Sequence, residues 1–488
     1  MAVDEAEASS GGSLKRNSIS TLGIVVLVLS VGSPLIGLTG SVPSAMVTGN
    51  GLGVPLAYLA VGAILLLFSV GFVAMSRQVV NGGAMYAYVG RGLGLRMGLG
   101  AAGLAVWAYT MLQIAVYGFF GTVLTGAFKQ WWGVQIPWWL ATLCLVALVQ
   151  VFGYLKIEIG AWVLIVVMAC EWSIMLLMAA VILVRGGAGQ GFAAAGVWSP
   201  SHLVGAGAGV AIMWAIASMA GFENAAIYGE EVRDPRKSVP RASIISILMI
   251  TGFFGFTSWM LIVGYGPAHA IDAALEAVNS GDPAQYVFRA GENYLGAWAP
   301  HVMTIFVITS MFACCLAFHN GISRYSFALA RDRVLPQFLA RTNRHGSPHL
   351  SSFLQTATVL VLLGICFALG SDPVLVIFFW GSGVAVVGLV CLYVLVAIAI
   401  LVHFRRNPQA DVSVWRTLVA PAASAVVMVL LLCLIIANFE VLIATTRTTA
   451  LLIASTVIVA FLLGVVVYSL RKRSLNPRAL AELSREVM

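Results

Sequence analysis

The sequence predicts an all-α integral membrane protein with twelve transmembrane helices. Of its 488 residues, 60% are hydrophobic and 9% are charged, whereas a soluble domain carries about 25% charged residues. The mean hydropathy is +0.97, and the apolar residues fall in runs long enough to cross a hydrocarbon core of about 30 Å. This composition excludes a soluble enzyme, a secreted disulfide scaffold and a nucleic-acid-binding protein.

Twelve apolar runs are candidate spans, and each must be helical because a backbone in lipid has to satisfy its own hydrogen bonds. Their approximate bounds are 21–48, 52–76, 98–126, 136–153, 160–184, 206–229, 242–265, 298–323, 352–370, 373–402, 417–437 and 448–470. The first run is too long for a cleavable signal peptide. The longest outer connection, 266–297, is too long for a simple turn, so we expect it to pack over the outer mouth of the helices.

Basic residues set the predicted orientation, because cytoplasmic loops of membrane proteins carry an excess of Lys and Arg. With the N-terminus in the cytoplasm, the inner segments hold 23 Lys and Arg residues and the outer segments hold 4. Both termini are therefore expected to be cytoplasmic, in a protein of the cell membrane. The spread of basic residues over many short loops also accounts for the net charge of +8 without a nucleic-acid partner.

Spans one and six are interrupted. Span one contains VGSPLIGLTGSVP and span six contains SMAGFENAAIYGEE. Proline removes a backbone donor and disfavours helix at the residue before it. Because spans one and six are five apart, each opens a block of five helices, which predicts two inverted repeats followed by two extra helices. Interrupted helices at matching positions of two halves indicate the binding site of a secondary transporter.

The spans and the polar composition of the tails divide the chain into four predicted parts. They are a disordered cytoplasmic tail (1–18), a ten-helix transport core (19–403), helices eleven and twelve (404–470) and a cytoplasmic C-terminal tail (471–488).

An unwound turn can bind both charged groups of an α-amino acid. Its N–H groups, at the positive end of a half-helix, suit a carboxylate, and its freed carbonyls suit an ammonium group. The substrate is therefore expected to lie between the breaks. The predicted substrate-binding residues are Ser33, Pro34, Leu35, Ile36, Gly37, Thr39, Gln113, Ser218, Met219, Ala220, Gly221 and Phe222.

Two acidic residues lie inside predicted spans, Glu171 on span five and Glu223 at the break of span six. An intramembrane carboxylate costs about 2.5–3.5 kcal/mol on insertion scales, so each is a candidate for a functional role. Glu171 is interpreted as a group that carries a proton or compensates a cation, or as a protonated acid bonded to a neighbouring helix. Glu223 is expected to bond the unwound backbone and hold it open.

Aromatic residues near the breaks are gate candidates, with packing as the alternative interpretation. These candidates are Tyr109, Trp214 and Trp380. Gln113 shares a helix face with Tyr109, and either bonds the substrate or ties two helices together. His319 and Asn320, near the inner end of span eight, are interpreted as helix-packing or inner-gate residues.

The sequence lacks the motifs that would indicate other kinds of site or other classes of protein. The seven cysteines all lie in apolar runs without a CxxC pair, so neither a metal site nor a disulfide framework is predicted. The inner loops contain no phosphate-cradling glycine loop, so we expect no ATP-driven transport. No HExxH, GxSxG or paired intramembrane aspartates point to an enzyme. An ion channel favours a symmetric pore of repeated subunits, whereas this chain has one pseudo-symmetric core.

Four stretches are similar to the amino acid–polyamine–organocation family of secondary transporters, which the chain resembles over nearly its whole length. They are the broken first helix, NGGAMYAYVGRGLG (81–94), GFENAAIYGEEVRDPRKSVPRA (221–242) and HNGISRYSFALARDRVLP (319–336). The resemblance implies the leucine-transporter-like fold, with substrate between broken helices one and six.

Three positions depart from the pattern of that family. Members often carry G-S-G in helix one, where this chain reads GSPLIGLTG. The aromatic gate of helix six corresponds to Ala217, with Trp214 about one turn earlier. Proton-coupled relatives place a lysine in the middle of helix five, where this chain has Glu171, so the resemblance does not identify the coupling ion.

The sequence thus predicts an amino acid permease that works by alternating access and needs no cofactor. We expect coupling to protons, with sodium as the alternative. A polyamine or organic-cation importer of the same fold and an amino acid exchanger are the other candidates. A polyamine requires several carboxylates near the pathway, and the spans contain two, which favours a neutral amino acid. The sequence makes no prediction of oligomeric state.

Overall fold

Most of the chain that the structure describes is helical. The computed structural model describes residues 20–79, 84–155, 161–188, 197–205, 207–230, 232, 234–344, 346–408 and 412–471. Within these ranges there is no β-strand, and eleven helices are long and apolar enough to cross a membrane. The prediction of an all-α, multi-pass membrane protein is confirmed. The predicted tails, 1–18 and nearly all of 471–488, lie outside the described residues.

We number the membrane helices α1 to α12 after the predicted spans. They are α1 (Thr21–Thr48), α2 (Val54–Ser76), α3 (Leu95–Trp132), α4 (Trp138–Leu155), α5 (Ala161–Arg185), α6 (Ala208–Met219), α7 (Pro235–Tyr265), α8 (Ala299–Arg331), α9 (His349–Ala368), α10 (Pro373–Arg406), α11 (Trp415–Ala437) and α12 (Arg447–Arg471). The sixth is shorter than a span because α6 ends after 12 residues and a 3-10 helix, Phe222–Glu230, follows it.

The break in α1 is at Ser33. The first part, Thr21–Gly32, ends where Ser33 adopts a left-handed conformation (φ 34°, ψ 74°) and donates its N–H to the Leu29 carbonyl at 2.9 Å. Pro34 begins the second part, where its missing N–H and fixed φ do no harm. A π-helical segment, Gly37–Ser41, follows. Such segments are frequent at functional sites because they displace backbone groups from the regular ladder.

The break in α6 is at Ala220 and Gly221. Ala220 is extended (φ −61°, ψ 144°), and Gly221 has a φ of 118°, which a residue with a Cβ rarely adopts. The polypeptide therefore leaves the α-helix at Met219 and resumes as a 3-10 helix at Phe222. Both interruptions occur in the spans for which the sequence predicts them.

The two broken helices pack together among continuous helices. The first part of α1 contacts α7, α8 and the 3-10 helix after α6, while α3 packs against α8, α10 and α12. We call the side of the protein on which α1 ends the outer side, because the predicted orientation places the end of α1 outside the cell. On that side, a hairpin of two helices (Pro267–Asn279 and Gln285–Leu295) contacts the last turns of α1, and its second helix reaches Gly37–Ser41.

Candidate functional site

A small cavity lies between the two breaks. The volume open to the centre of a water molecule is about 30 Å³, and one water needs about 10–15 Å³ of such space. The residues that line it come from five helices. They are Gly32, Ser33, Ile36, Gly37 and Ser41 of α1, Leu112 and Val116 of α3, Ala217 and Ser218 of α6, Cys314 and Phe318 of α8, and Phe378 and Ser382 of α10. None of these thirteen residues carries a charge.

The continuous helices present one face each to the cavity. The lining residues of α3, α8 and α10 are pairs four positions apart, and residues four apart lie on one side of a helix. Three continuous helices therefore each contribute one side to the lining, and the remaining lining residues belong to α1 and α6.

Four of the predicted substrate-binding residues line this cavity, namely Ser33, Ile36, Gly37 and Ser218. Seven others belong to the breaks and are buried without lining it. These are Pro34, Leu35, Thr39, Met219, Ala220, Gly221 and Phe222. The Thr39 hydroxyl donates to the Leu35 carbonyl at 2.8 Å, and the Phe222 ring packs against Phe68 and Phe72.

Gln113 connects helices away from the cavity. Its Nε2 donates to the Cys315 carbonyl at 3.0 Å, and its Oε1 accepts a hydrogen bond from Gln355 at 2.9 Å. These contacts join α3 to α8 and α9. They correspond to the interpretation of Gln113 as a residue that ties helices together, and its contact with substrate stays a prediction.

Glu223 joins the break of α6 to two other helices. The side chain is 1% exposed. Its Oε1 accepts a hydrogen bond from Tyr109 of α3 at 2.9 Å, and its Oε2 accepts bonds from the Gly221 N–H at 3.0 Å and from Tyr393 of α10 at 3.2 Å. Three donors thus converge on one carboxylate. Tyr109, predicted as a gate, lies in this network and does not line the cavity.

Glu171 is linked to the break of α1 through Ser310 of α8. The side chain of Glu171 is 2% exposed, and its Oε2 accepts a hydrogen bond from the Ser310 hydroxyl at 3.0 Å. The hydroxyl oxygens of Ser310 and Ser33 are 2.6 Å apart. Because a hydroxyl donates one hydrogen bond, Ser33 donates to Ser310 when Ser310 donates to Glu171. Two hydroxyl groups therefore connect the cavity wall to a buried acid.

The tryptophan gate candidates lie in different places. Trp214 is fully buried, donates Nε1–H to the Thr48 hydroxyl at 3.3 Å and has its ring 5.3 Å from that of Phe378. Trp380 donates to the Ile443 carbonyl at 2.9 Å and does not line the cavity. Phe378, two residues before Trp380, is the aromatic residue of α10 that lines it.

Nine lining residues were not among the predicted site residues. They are Gly32, Ser41, Leu112, Val116, Ala217, Cys314, Phe318, Phe378 and Ser382. Most are small or apolar and sit in long apolar spans, so nothing in their identity separates them from residues that face lipid. Ser41 and Ser382 were the available signals, since each is a hydroxyl side chain within a span.

Of the two remaining polar candidates, His319 and Asn320, the first has a packing contact. His319 Nε2 lies 2.7 Å from the Ser352 hydroxyl, which joins α8 to α9. Among the described residues, no group of three or more His, Cys, Asp or Glu side chains is placed to hold a metal ion.

Comparisons with known proteins agree on one class. The family model described as "Amino acid permease" matches residues 24–474. An uncharacterized transporter of Mycobacterium tuberculosis (strain H37Rv) is 29% identical over 328 residues, which cover 66% of this chain and 67% of the relative. A branched-chain amino acid permease of Bacillus subtilis (strain 168) is 23% identical over 192 residues, which cover 39% of this chain and 37% of the relative. A dicarboxylic amino acid permease of Saccharomyces cerevisiae is 27% identical over 139 residues, which cover 28% and 22%.

Proposed function

The chain belongs to the amino acid permease family, and from this premise we propose that it moves an amino acid across the cell membrane by alternating access. The observation that carries the proposal is the uncharged cavity between two broken helices, where carbonyls at the end of α6 approach Gly32 of α1. An α-amino acid needs a donor set for its carboxylate and an acceptor set for its ammonium group, and one break can supply each.

The hydrogen-bond acceptors for the substrate ammonium group come from the C-terminal end of α6. A Cβ added at Gly32 would lie 3.3 Å from the Ala220 carbonyl oxygen and 3.7 Å from that of Ser218, so both carbonyls approach the cavity residue Gly32. The end of a helix carries partial negative charge, which suits the substrate ammonium group. The second part of α1, starting at Pro34, presents its N-terminal end at the same break. We assign the substrate carboxylate to the backbone around Ser33–Thr39.

Proton coupling through Glu171 is the second part of the proposal. The acid is buried within α5, and the Ser310 and Ser33 hydroxyls connect it to the cavity. A neutral carboxyl group can donate a hydrogen bond, whereas a carboxylate only accepts. Gain of one proton therefore allows the acid to donate to Ser310 and to reverse the direction in which these hydroxyls are bonded, and we assign the coupling of the acid to the break of α1 to this reversal.

Orientation in the membrane follows from the charge distribution. The excess of Lys and Arg in the inner segments, 23 against 4, supports a cytoplasmic N-terminus and C-terminus. It also supports the assignment of α6 to the outer half and the 3-10 helix after it to the inner half of the sixth span.

A polyamine importer is the rival that the cavity disfavours. A di- or polyamine needs carboxylates along its path, and the thirteen lining residues include none. Glu223 accepts hydrogen bonds from three donors of the protein itself, and Glu171 accepts one from Ser310 and does not line the cavity. An amino acid exchanger would use the same geometry as a permease.

Ligand stabilisation tests the substrate class. The full chain, purified in detergent, is heated with a panel of neutral, acidic and basic amino acids and with putrescine and spermidine. A ligand at 100 times its dissociation constant adds about 2.7 kcal/mol of stability, so we expect a raised Tm with amino acids. A rise confined to putrescine and spermidine would replace the proposal with the polyamine rival.

A further inference from the structure

An aromatic cluster lies on the outer side of the cavity. The rings of Phe119 and Phe378 are stacked with centroids 4.8 Å apart, and the Trp214 ring lies 5.3 Å from Phe378. Each of the three aromatic residues lies about one helical turn beyond a lining residue of its own helix. The pairs are Val116 and Phe119 on α3, Ser218 and Trp214 on α6, and Ser382 and Phe378 on α10.

The cluster presses directly on the backbone of α1. A Cβ added at Gly40 would lie 2.8 Å from a ring carbon of Phe119 and 2.9 Å from a ring carbon of Phe378, closer than carbon atoms pack. On the other side, the indole of Trp214 is fixed by its hydrogen bond to Thr48. The Phe378 ring is therefore confined on both sides. A long substrate side chain that points outward would collide with it.

The other lining side chains provide no counter-ion for a charged side chain of the substrate. Ile36, Leu112, Val116 and Phe318 are apolar, and the polar ones are hydroxyls and a thiol. A charged side chain placed among them would lose its hydration without gaining a counter-ion, which is strongly unfavourable. The freed backbone groups at the two breaks are already assigned to the α-amino and α-carboxylate groups.

From these contacts we propose that the substrate is an amino acid with a small, uncharged side chain, and that Phe378 is the residue that limits the size of that side chain. This inference rests on the proposed function. Phe378 acts as a specificity-determining residue, because its ring occupies the space into which a larger side chain would extend. Acidic and basic amino acids are excluded by the lining as a whole.

Truncation of Phe378 should change the choice among neutral amino acids. The purified full chain is assayed by competition of alanine, leucine, phenylalanine, aspartate and arginine against radiolabelled alanine. We expect wild-type protein to prefer alanine to phenylalanine by about tenfold or more, and F378A to reduce that preference by about tenfold, the usual scale for pocket size effects. Aspartate and arginine should compete poorly with both proteins.

The neighbouring residue provides the control. Phe379 is buried to the same degree, on the same helix, and its ring also contacts Trp214, but it does not line the cavity. F379A should leave the ratio of alanine to phenylalanine affinity unchanged. Size-exclusion chromatography checks the fold of both variants, and the milder F378L replaces F378A where the alanine variant does not fold.

The outcomes separate this inference from the proposed function. Wild-type preference for aspartate, arginine or phenylalanine would overturn the inference, as would an equal change of the ratio in F378A and F379A or no change in either. Absence of binding by every amino acid, with retained binding of putrescine or spermidine, would instead contradict the proposed function.

Discussion

Ser33, in the break of α1, and Glu171, within α5, are joined by one side chain, that of Ser310. The Ser310 hydroxyl oxygen lies 2.6 Å from Ser33 Oγ and 3.0 Å from Glu171 Oε2. Because Ser33 lines the cavity, these contacts connect the buried acid to the proposed substrate site. This relationship is the physical basis of the proposed coupling.

Replacement of Glu171 by glutamine should remove the pH dependence of transport. Glutamine keeps the size and an acceptor oxygen for Ser310, but it can neither gain nor lose a proton. We expect E171Q to bind substrate and to transport it at a rate that no longer varies between about pH 5 and about pH 8. Uptake into proteoliposomes at a series of pH values measures this.

A matched variant distinguishes the role of the Glu171 carboxyl group from that of the Ser310 hydroxyl, which connects it to Ser33. S310A keeps Glu171 and removes the hydroxyl that joins it to Ser33. We expect S310A to weaken the pH dependence without abolishing binding. An unchanged pH profile in E171Q would assign Glu171 to a purely structural role, as a protonated acid bonded to its neighbouring helix.

Truncation of Glu223 should abolish uptake while the protein still folds. In E223A the Tyr109 hydroxyl, the Tyr393 hydroxyl and the Gly221 N–H all lose their acceptor, and each unsatisfied buried donor costs about 1–3 kcal/mol. The break of α6 would then rearrange. Uptake assays, combined with size-exclusion chromatography, measure both effects. Glu292, an exposed acid of the outer hairpin, is the control, and E292A should transport normally. Wild-type uptake by E223A would refute the role.

A methyl group at Gly37 should force the two breaks apart. In G37A the new Cβ would collide with the ring of Phe254 and lie 2.9 Å from Ser218 Cβ. We expect substrate affinity to fall at least about tenfold, the scale of a 1.4 kcal/mol loss. G252A is the matched control on α7, because a Cβ there meets nothing within 4 Å. Equal substrate affinities of G37A and wild-type protein would show that Gly37 is not part of the binding site.

Asp282, between the two helices of the outer hairpin, should make stability depend on pH. Partial burial raises the pKa of its carboxyl group above the ordinary value, against the opposing effect of hydrogen bonds from the Gln285 side chain and the Ala284 N–H. The folded protein therefore binds this proton more tightly than the unfolded chain. Its contribution to stability is present at low pH and is lost as the pH rises through the folded-state pKa.

The substitution D282N removes that pH dependence. Asparagine keeps an oxygen for the Ala284 N–H and carries no charge at any pH. The Tm of D282N minus that of wild-type protein should therefore increase from pH 4 to about pH 7, the direction that linkage requires. A difference that is constant over this range would show that Asp282 does not titrate differently in the folded protein.

The breaks could be predicted from sequence because proline and glycine act locally. Pro34 has no N–H, and Gly221 adopts a φ of 118°, so each interruption is encoded by the residues at the break. Glu223 was recognised for a similar reason, since an acid within an apolar span stands out.

The rest of the site depends on which faces of α3, α8 and α10 meet. Leu112 and Phe378 look like any other apolar residue of a span, and only the packing of the helices brings them to the cavity. The same limit explains Trp380, which points to the Ile443 carbonyl while Phe378 faces the cavity.

Uptake by reconstituted protein tests the central claim most directly. The full chain is placed in proteoliposomes, and accumulation of radiolabelled alanine is followed with an inward proton gradient and after addition of a protonophore. The account predicts saturable accumulation that unlabelled neutral amino acids inhibit and that the protonophore abolishes. Absence of accumulation of any amino acid, with accumulation of labelled putrescine under the same gradient, would contradict it.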